Sequence, residues 1–333
     1  MRAWGALVVI GVCALAGAAA AVPAATSAKS PNGKALRALQ GVNFISSCRT
    51  SHRLMDDPIV FPGYPGLSHD HTFVGNTTTN ASSTLASLRA GSTTCRREGD
   101  TAAYWMPTLL LNGQAVEPRG ATIYYRRRTI ARVRAFPPGL KMIAGNSRAT
   151  APQDLHVTYW NCGAQAGMPP SASVPTCANT RAQGLRLHVN FPNCWDGVNL
   201  DSANHQSHMA YSMRGACPST HPVAVPAISL IFRYPIAGGS GVSLASGGQY
   251  SSHADFFNAW RQGALSSLVQ GCLNALRHCA QGTYAPPRAG DRPGASPLDR
   301  LARGLGRARG VARRGDARRP RADRPARAAA GGG

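Results

Sequence analysis

The sequence predicts a mainly β protein of the α+β type, a disulfide-stapled, β-sandwich-like body with one long C-terminal helix. Three observations lead to this prediction. Short runs of β-forming residues, separated by Gly, Pro, Asn and Ser, recur from about Asn43 to Gln249. Helical periodicity is confined to one stretch after Ser252, and cysteines are spread through the chain. With 333 residues, 43% of them hydrophobic, the chain can bury a packed core, which excludes wholesale disorder.

Five runs rich in β-branched and aromatic residues are predicted to form most of the core. Each is bounded by residues that favour turns. The predicted strands are Tyr104–Leu111, Ile123–Tyr125, Leu155–Trp160, Leu185–Phe191 and Pro226–Tyr234.

The stretch after Ser252 repeats apolar residues at roughly helical spacing, so we expect one face of this helix to pack on the sheets. Ser252 or Asp255 would cap its first turn. Cys272 and Cys279 would fix its end. The apolar positions are Phe256, Phe257, Trp260, Leu265, Leu268, Val269, Leu273 and Leu276.

The N-terminus has the pattern of a cleavable secretory signal at residues 1–28. Arg2 precedes an apolar stretch from Ala6 to Ala21, and small residues follow. No apolar run of transmembrane length occurs after the first 25 residues. We therefore expect a secreted, extracellular protein.

Eight cysteines remain when the predicted signal is removed. An even number in a secreted chain indicates disulfides, and the absence of a CxxC pair disfavours a zinc–cysteine site. Proximity alone favours two neighbour pairs, although eight cysteines allow about 105 pairings. The favoured pairs are Cys162 with Cys177 and Cys194 with Cys217, and the other cysteines are Cys48, Cys95, Cys272 and Cys279.

We expect a single domain over residues 32–285 and a disordered tail rich in Arg, Ala, Pro and Gly over residues 286–333. The tail has almost no large apolar groups to repay the entropy of ordering. It is either a solvated extension or an arm that binds anionic wall polymer or nucleic acid. The first is favoured because its arginines lack interleaved aromatic residues.

The net charge of +22 is divided between the tail and the body. Residues 286–333 contribute +9, and the body from 32 to 285 carries +11. Nearly all the basic residues are Arg, which indicates a compositional bias rather than a dedicated polycation. The high charge is therefore not evidence for a specific nucleic-acid partner.

Acidic residues are few in the body, and several lie beside histidines in three short segments. Two histidines two apart in a strand face the same side, and two histidines three apart meet on one helical turn. Convergence of the segments would form a divalent metal site or a metal-free acid/base pair. The segments contain His69, Asp70 and His71; Asp201, His205 and His208; and His253 and Asp255.

Each group has an expected role if the segments meet in one cleft. The candidate metal ligands are His69, His71, His205 and His208, with a divalent metal ion as cofactor. The candidate catalytic residues are His71, His208, Asp201, Asp255 and His253, of which Asp201 and Asp255 would orient or activate water. The alternative is that these histidines hold loops together by hydrogen bonds.

Three further residues are candidates for substrate binding. Trp195 and Asp196 would set an indole beside a carboxylate, as in sugar-binding clefts, although a Trp packed against a disulfide is the commoner arrangement. Arg126 belongs to a possible anion-binding edge and would bind a substrate carboxylate. No GxSxG elbow, Walker loop, HExxH motif or dinucleotide fingerprint is present.

Seven motifs in the body, in this order and spacing, resemble the secreted fungal and actinobacterial domain of unknown function nineteen-ninety-six. The resemblance covers about residues 43–275. It implies an extracellular protein related to glycans, without implying a reaction, and its motif His and Asp positions are retained here. The motifs are DPIVFPG, SHDHTFVGN, FPPGLKMIAGN, FPNCWDGVNLDS, HQSHMAY, CPSTHPVAVP and HADFFNAW.

The sequence therefore predicts a secreted hydrolase or lyase that acts on an extracellular or cell-wall polysaccharide with a His/Asp cleft. Two alternatives from other classes remain open. One is a non-catalytic wall or glycan-binding protein whose His/Asp network is structural, and the other is a metal-binding protein.

Overall fold

The computed structural model describes residues 33–163, 169–178 and 184–281. The predicted signal segment 1–28 and the predicted tail 286–333 lie outside the described residues.

Seventeen strands and three short helices make up the regular structure of the described residues. The helices are α1 (Gly33–Ala38), α2 (Leu85–Ala90) and α3 (Gln262–Leu268), and α3 continues as a π-helical segment (Val269–Asn274). The strands are β1 (Asn43–Cys48), β2 (Thr50–Leu54), β3 (His71–Gly75), β4 (Ala103–Pro107), β5 (Leu109–Leu111), β6 (Gln114–Ala115), β7 (Ala121–Arg126), β8 (Lys141–Gly145), β9 (Thr158–Cys162), β10 (Leu185–Asn190), β11 (Cys194–Trp195), β12 (Met209–Ala210), β13 (Val223–Ala224), β14 (Ala227–Arg233), β15 (Val242–Leu244), β16 (His253–Phe257) and β17 (His278–Cys279).

Two large sheets face each other and form the predicted sandwich. The strand orders are β17-β1-β7-β14-β10-β9 in the six-stranded sheet and β2-β3-β4-β16-β8 in the five-stranded sheet. Side chains alternate along each strand, so each sheet contributes one set to the shared core. Tyr125 and Phe232 from the first sheet lie in the same buried cluster as Tyr104 and Phe256 from the second. The mainly β fold class is confirmed.

The five-stranded sheet is buried on its second face as well. Phe73, Trp105 and Phe257 form a separate cluster there, and Ile59 and Leu88 cover it. Leu88 lies in α2, which begins with a capping box between Thr84 and Ser87. Polar groups on this outer face are therefore shielded from water wherever the covering segments reach.

The C-terminal helix is confirmed, but its predicted beginning after Ser252 is wrong. His253–Phe257 form β16, a central strand between β4 and β8. Ala254 and Phe256 lie in the sandwich core, while Phe257 lies in the cluster on the opposite face. Asp255 therefore does not cap a helix, and the helix begins at Gln262, nine residues after His253.

Two predicted strands differ from the observed ones by more than their terminal residues. The run from Leu155 becomes β9 only at Thr158, because the amides of Val157 and Thr158 donate to the Asp154 carbonyl in a turn. The run Tyr104–Leu111 is divided into β4 and β5.

A hydrogen-bonded polar network joins the two sheets inside the core. Asp100 is fully buried and accepts hydrogen bonds from Ser46 Oγ at 2.6 Å and Tyr104 Oη at 2.9 Å. The hydroxyls of Tyr104 and Tyr125 contact each other, and Trp260 Nε1 donates to Tyr125 Oη at 2.8 Å. Burial raises the pKa of Asp100 to about 7, although Ser46 and Tyr104 oppose the shift.

Four disulfides connect all eight cysteines of the body. Both predicted neighbour pairs, Cys162–Cys177 and Cys194–Cys217, are confirmed. The other bridges are Cys48–Cys95 and Cys272–Cys279, and the latter closes the end of the C-terminal helix.

Among the described residues, no helix has the length and apolar character needed to cross a membrane.

The substitution Asp100→Asn should remove a large part of the pH dependence of stability. The folded state holds the Asp100 proton more tightly than an unfolded chain, whose pKa is about 3.9. This stabilisation is fully present below pH 4 and is lost as the pH rises through about 7. We expect the wild type to lose about 4 kcal/mol relative to the variant over this range.

Urea unfolding of both proteins from about pH 3 to about pH 9, a range that covers both pKa values, provides the measurement. The other buried acids and histidines are present in both proteins, so their contributions cancel in the difference. Parallel pH profiles for wild type and variant would contradict the assigned pKa shift.

Candidate functional site

The candidate site lies on the outer face of the five-stranded sheet. His71 is the first residue of β3, and His253 and Asp255 alternate with inward-facing residues of β16. The two strands are separated by β4 alone. Gly145 of β8 pairs with His253 at φ 87°, and a Cβ atom there would lie 2.5 Å from the Ser252 carbonyl oxygen. Glycine thus allows β8 to approach this end of β16.

Three imidazoles meet at this position, and we call this group with Asp57 and Asp255 the His/Asp cluster. His69 Nε2 lies 3.2 Å from His253 Nε2, and the His69 and His71 ring centroids are 4.2 Å apart. One nitrogen from each of His69, His71 and His253 lies within 4.8 Å of the others.

Two carboxylates complete the cluster. Oxygens of Asp57 and Asp255 and a nitrogen of His71 also lie within 4.8 Å of one another. Asp57 Oδ1 accepts hydrogen bonds from the amides of Ile59 at 2.8 Å and Val60 at 3.0 Å, which fixes the Asp57 side chain. Asp57 was not among the predicted site residues.

Backbone contacts determine which imidazole nitrogen is available. His71 Nδ1 lies 3.0 Å from the Asp56 carbonyl oxygen, and His253 Nδ1 lies 3.0 Å from the Ser251 carbonyl oxygen. A carbonyl can only accept, so both Nδ1 atoms donate and each neutral ring keeps a lone pair on Nε2. This arrangement is typical of histidines that bind metal through Nε2.

The inner atoms of the cluster are buried and lack partners. His71 Nε2 and both carboxylate oxygens of Asp255 form no hydrogen bond with any described residue. Both side chains are 0% exposed, and an unpaired buried polar group costs about 1–3 kcal/mol. The protein therefore holds a nitrogen acceptor and a carboxylate ready for a ligand that supplies positive charge or donors.

Burial shifts the protonation of the cluster. It lowers the pKa of His71 well below its ordinary value, and His69 and His253 lower it further by electrostatic repulsion of the imidazolium. Burial lowers the pKa of His253 to about 4. Burial raises the pKa of Asp255 well above its ordinary value, and the Asp57 charge adds to this shift. The imidazoles are therefore neutral at pH 7, the form that ligates metal.

An open cleft of about 690 Å³ gives access to the His/Asp cluster. Asp57, His69, His253 and Asp255 border it, although only His69 among them is more than slightly exposed, and His71 does not reach it. The other residues that line the cleft offer both apolar and polar contacts. The apolar ones include Val60, Phe61 and Leu67, and the polar ones include Asn146, Arg148, Asn204, His205 and Gln206.

His205 also lines this cleft, as part of a pair with Asp201. His205 Nδ1 lies 2.9 Å from Asp201 Oδ1, and Lys141 Nζ lies 3.5 Å from the other oxygen of Asp201. His205 adopts the left-handed backbone conformation, with φ 57°. The carboxylate can orient the imidazole, so the pair has the arrangement of an acid/base dyad.

His208 is not brought to the cluster, contrary to the sequence prediction. It is buried, with Nε2 at 2.7 Å from the Lys141 carbonyl oxygen and Nδ1 at 2.9 Å from Ser202 Oγ. The predicted set of four histidine ligands is therefore divided: His69 and His71 join His253, and His205 lies apart with Asp201. His208 connects its loop to β8.

The three predicted substrate residues also lie outside the cleft lining. Trp195 packs against the core and donates from Nε1 to the Asn199 carbonyl oxygen at 2.6 Å. Asp196 Oδ1 accepts the amides of Val198 and Asn199 and so closes a turn. Arg126 lies on the other sheet, where its side chain points away from the shared core.

The fold and the site define a class of protein: a disulfide-bonded β-sandwich with a buried His/Asp cluster at the bottom of an open cleft. The chain belongs to the family described as Domain of unknown function (DUF1996), whose model matches residues 57–260. The matched region includes every member of the His/Asp cluster. Comparison with curated proteins and with solved structures found no match.

The substitution His208→Ala should destabilise the fold without affecting the cluster. It removes the partner of the Lys141 carbonyl and of Ser202 Oγ, so we expect a loss of about 2 kcal/mol in the free energy of unfolding. His156→Ala is the matched control, because that side chain is 94% exposed and should change stability by less than about 0.5 kcal/mol. Urea unfolding would contradict this assignment if the two variants were equally stable.

Proposed function

We propose that the His/Asp cluster binds a divalent transition metal and that the protein is a secreted, metal-dependent hydrolase or lyase of extracellular polysaccharide. One observation carries the proposal: the unpartnered Nε2 of His71 and the unpartnered carboxylate of Asp255 lie beside the Nε2 atoms of His69 and His253, which contact each other, where an open cleft reaches the group.

Two separations between donor atoms are compatible with ligation of one ion. Two nitrogens bound to one tetrahedral zinc ion at about 2.0–2.1 Å lie about 3.3 Å apart, and ligands on opposite sides of an ion lie about 4 Å apart. The distance from His253 Nε2 to His69 Nε2 is 3.2 Å, and that to Asp255 Oδ2 is 4.0 Å. Imidazole with carboxylate favours zinc and related transition ions over calcium or magnesium.

A bound divalent ion would supply Lewis-acid polarisation of a substrate oxygen. The residues of the chain account for the remaining roles. His71 and His253 are held by backbone carbonyls in the ligating tautomer. Asp57 is held by two backbone amides. These constraints keep the donor atoms in place before any ligand arrives.

The His205–Asp201 pair is the candidate for proton transfer in the cleft. Asp201 holds Nδ1 of His205, which leaves Nε2 to take a proton from water or substrate, or to give one to a leaving group. Because His205 is outside the set of ligand atoms, its substitution should separate catalysis from metal binding.

The lining of the cleft supports a sugar polymer as substrate. A pyranose ring has apolar C–H faces and a rim of hydroxyls, and the cleft offers both kinds of contact. Val60, Phe61 and Leu67 supply apolar surface, while Asn146 and Asn204 supply amide groups. Arg148 is exposed at the cleft and can pair with the carboxylate of a uronic acid, which a lyase requires.

Secretion is supported by the four disulfides, which persist in oxidising compartments, and by the signal-like N-terminus.

The second candidate function is metal sequestration without catalysis. It is favoured by the complete burial of His71 and Asp255, since a deeply enclosed site retains an ion well.

Metal binding is tested with the full chain, stripped by chelator and titrated with zinc in a calorimeter. We expect one ion per chain. Asp255→Asn and His71→Ala should each weaken binding at least about 100-fold, because each removes a preorganised ligand. His156→Ala, which is remote and exposed, should bind zinc as the wild type does.

Wild-type protein that takes up no zinc would refute the metal site. The same conclusion follows if Asp255→Asn binds zinc as tightly as His156→Ala.

Activity is tested with a panel of neutral and uronic-acid polysaccharides. New reducing ends indicate a hydrolase and unsaturated products a lyase. We expect product formation to stop after chelation, and His205→Ala to lower the rate at least about 100-fold with zinc content unchanged. A zinc-loaded wild type that cleaves none of the panel would favour sequestration, and cleavage that survives chelation would exclude a metal-dependent reaction.

A further inference from the structure

The outer face of the six-stranded sheet carries three arginines, and we call Arg126, Arg186 and Arg233 the arginine face. They lie on β7, β10 and β14, at positions that alternate with buried residues of the core such as Tyr125 and Phe232. The face is therefore on the opposite side of the sandwich from the His/Asp cluster.

Two of these arginines are direct cross-strand neighbours. Arg186 pairs with Arg233 in the register of β10 and β14. Like charges at directly opposed positions destabilise a sheet. An anion between the two side chains would offset this unfavourable interaction.

Arg126 lies on the same face of the sheet but toward its other end, because it is opposite Ala227, six residues along β14 from Arg233. Its guanidinium carbon lies 4.4 Å from the centroid of the Tyr124 ring. Burial and, to a smaller extent, the positive charges of Arg186 and Arg126 lower the pKa of His188 to about 3. His188 is therefore neutral, and the positive charge of this face comes from its arginines.

Carboxylate partners for these arginines are absent from the described part of the chain. The ion pairs found there involve other residues. The Nε atoms of Arg126 and Arg233 are buried and form no hydrogen bond with described residues. Guanidinium groups with unused donors match carboxylate oxygens in charge and geometry.

We propose that the arginine face binds the carboxylate groups of an acidic polysaccharide, as a surface separate from the cleft. A polysaccharide is favoured over a single-stranded nucleic acid because the aromatic rings of this face are already covered. Arg126 covers one face of the Tyr124 ring, and His188 stacks on one face of Tyr159 at 4.3 Å between centroids, so each of these tyrosines has at most one face left for a base. This inference extends the proposed function but uses none of its residues.

The test measures binding of the full chain to polygalacturonate, with fully methyl-esterified polygalacturonate as the uncharged counterpart. The variant is Arg186→Gln/Arg233→Gln. The control is Arg89→Gln/Arg261→Gln, which removes the same charge from α2 and from the residue before α3. The Arg-rich tail is common to all three proteins, so its contribution cancels.

We expect binding to polygalacturonate to weaken at least about tenfold in the variant and less than about twofold in the control. The esterified polymer should not bind. Equal weakening in variant and control, or no weakening in either, would overturn the proposal. Tighter binding of a single-stranded DNA of equal charge, lost in the same variant, would reassign the face to nucleic acid.

A second measurement needs no variant. Phenylglyoxal modifies exposed guanidinium groups, and peptide mass spectrometry locates the adducts. Polygalacturonate should protect Arg126, Arg186 and Arg233 but not Arg89, and unchanged labelling of all four would overturn the proposal. The labelling is done on chelator-treated protein, so metal-dependent cleavage in the cleft does not enter it, and its failure is distinguishable from failure of the proposed function.

Discussion

The alternation of side chains along β16 is the constraint on which the rest of the structure depends. Ala254 and Phe256 anchor this central strand in the sandwich core, which directs His253, Asp255 and Phe257 to the other face. A shift of one residue would exchange the two sets and place a histidine and a carboxylate between the sheets. The register of β16 therefore determines both the packing of the core and the geometry of the site. Pairing with β4 on one side and β8 on the other fixes that register.

The buried carboxylates Asp100 and Asp255 differ in their hydrogen bonding. Asp100 has partners for both oxygens, and its contacts with Ser46 and Tyr104 join the sheets. Asp255 is just as buried, yet neither oxygen has a partner among the described residues. Satisfied groups of the first kind make a core specific. An unsatisfied group of the second kind reduces stability and is expected at sites retained for function.

Much of the fold was predictable because its strands are long and bounded by turn residues, as in β10 and β14. β16 was not, since five residues are too few to display a two-residue period and the apolar spacing continues into α3.

The pairs His69/His71 and His253/Asp255 were visible as local spacing. Their meeting was not, because it depends on strand order across 184 residues. Asp57 was missed because a loop positions it, and His208 was misassigned because its partners, a main-chain carbonyl and a serine, leave no pattern.

The two-sheet architecture has a consequence for how the protein would sit in a polymer network. The cleft opens on one side of the sandwich and the guanidinium groups lie on the other, with the whole thickness of the core between them. A straight, stiff glycan strand touches only one side at a time. A molecule that binds one glycan chain through the arginine face would therefore present its cleft to a neighbouring chain. It would act between two chains rather than along one.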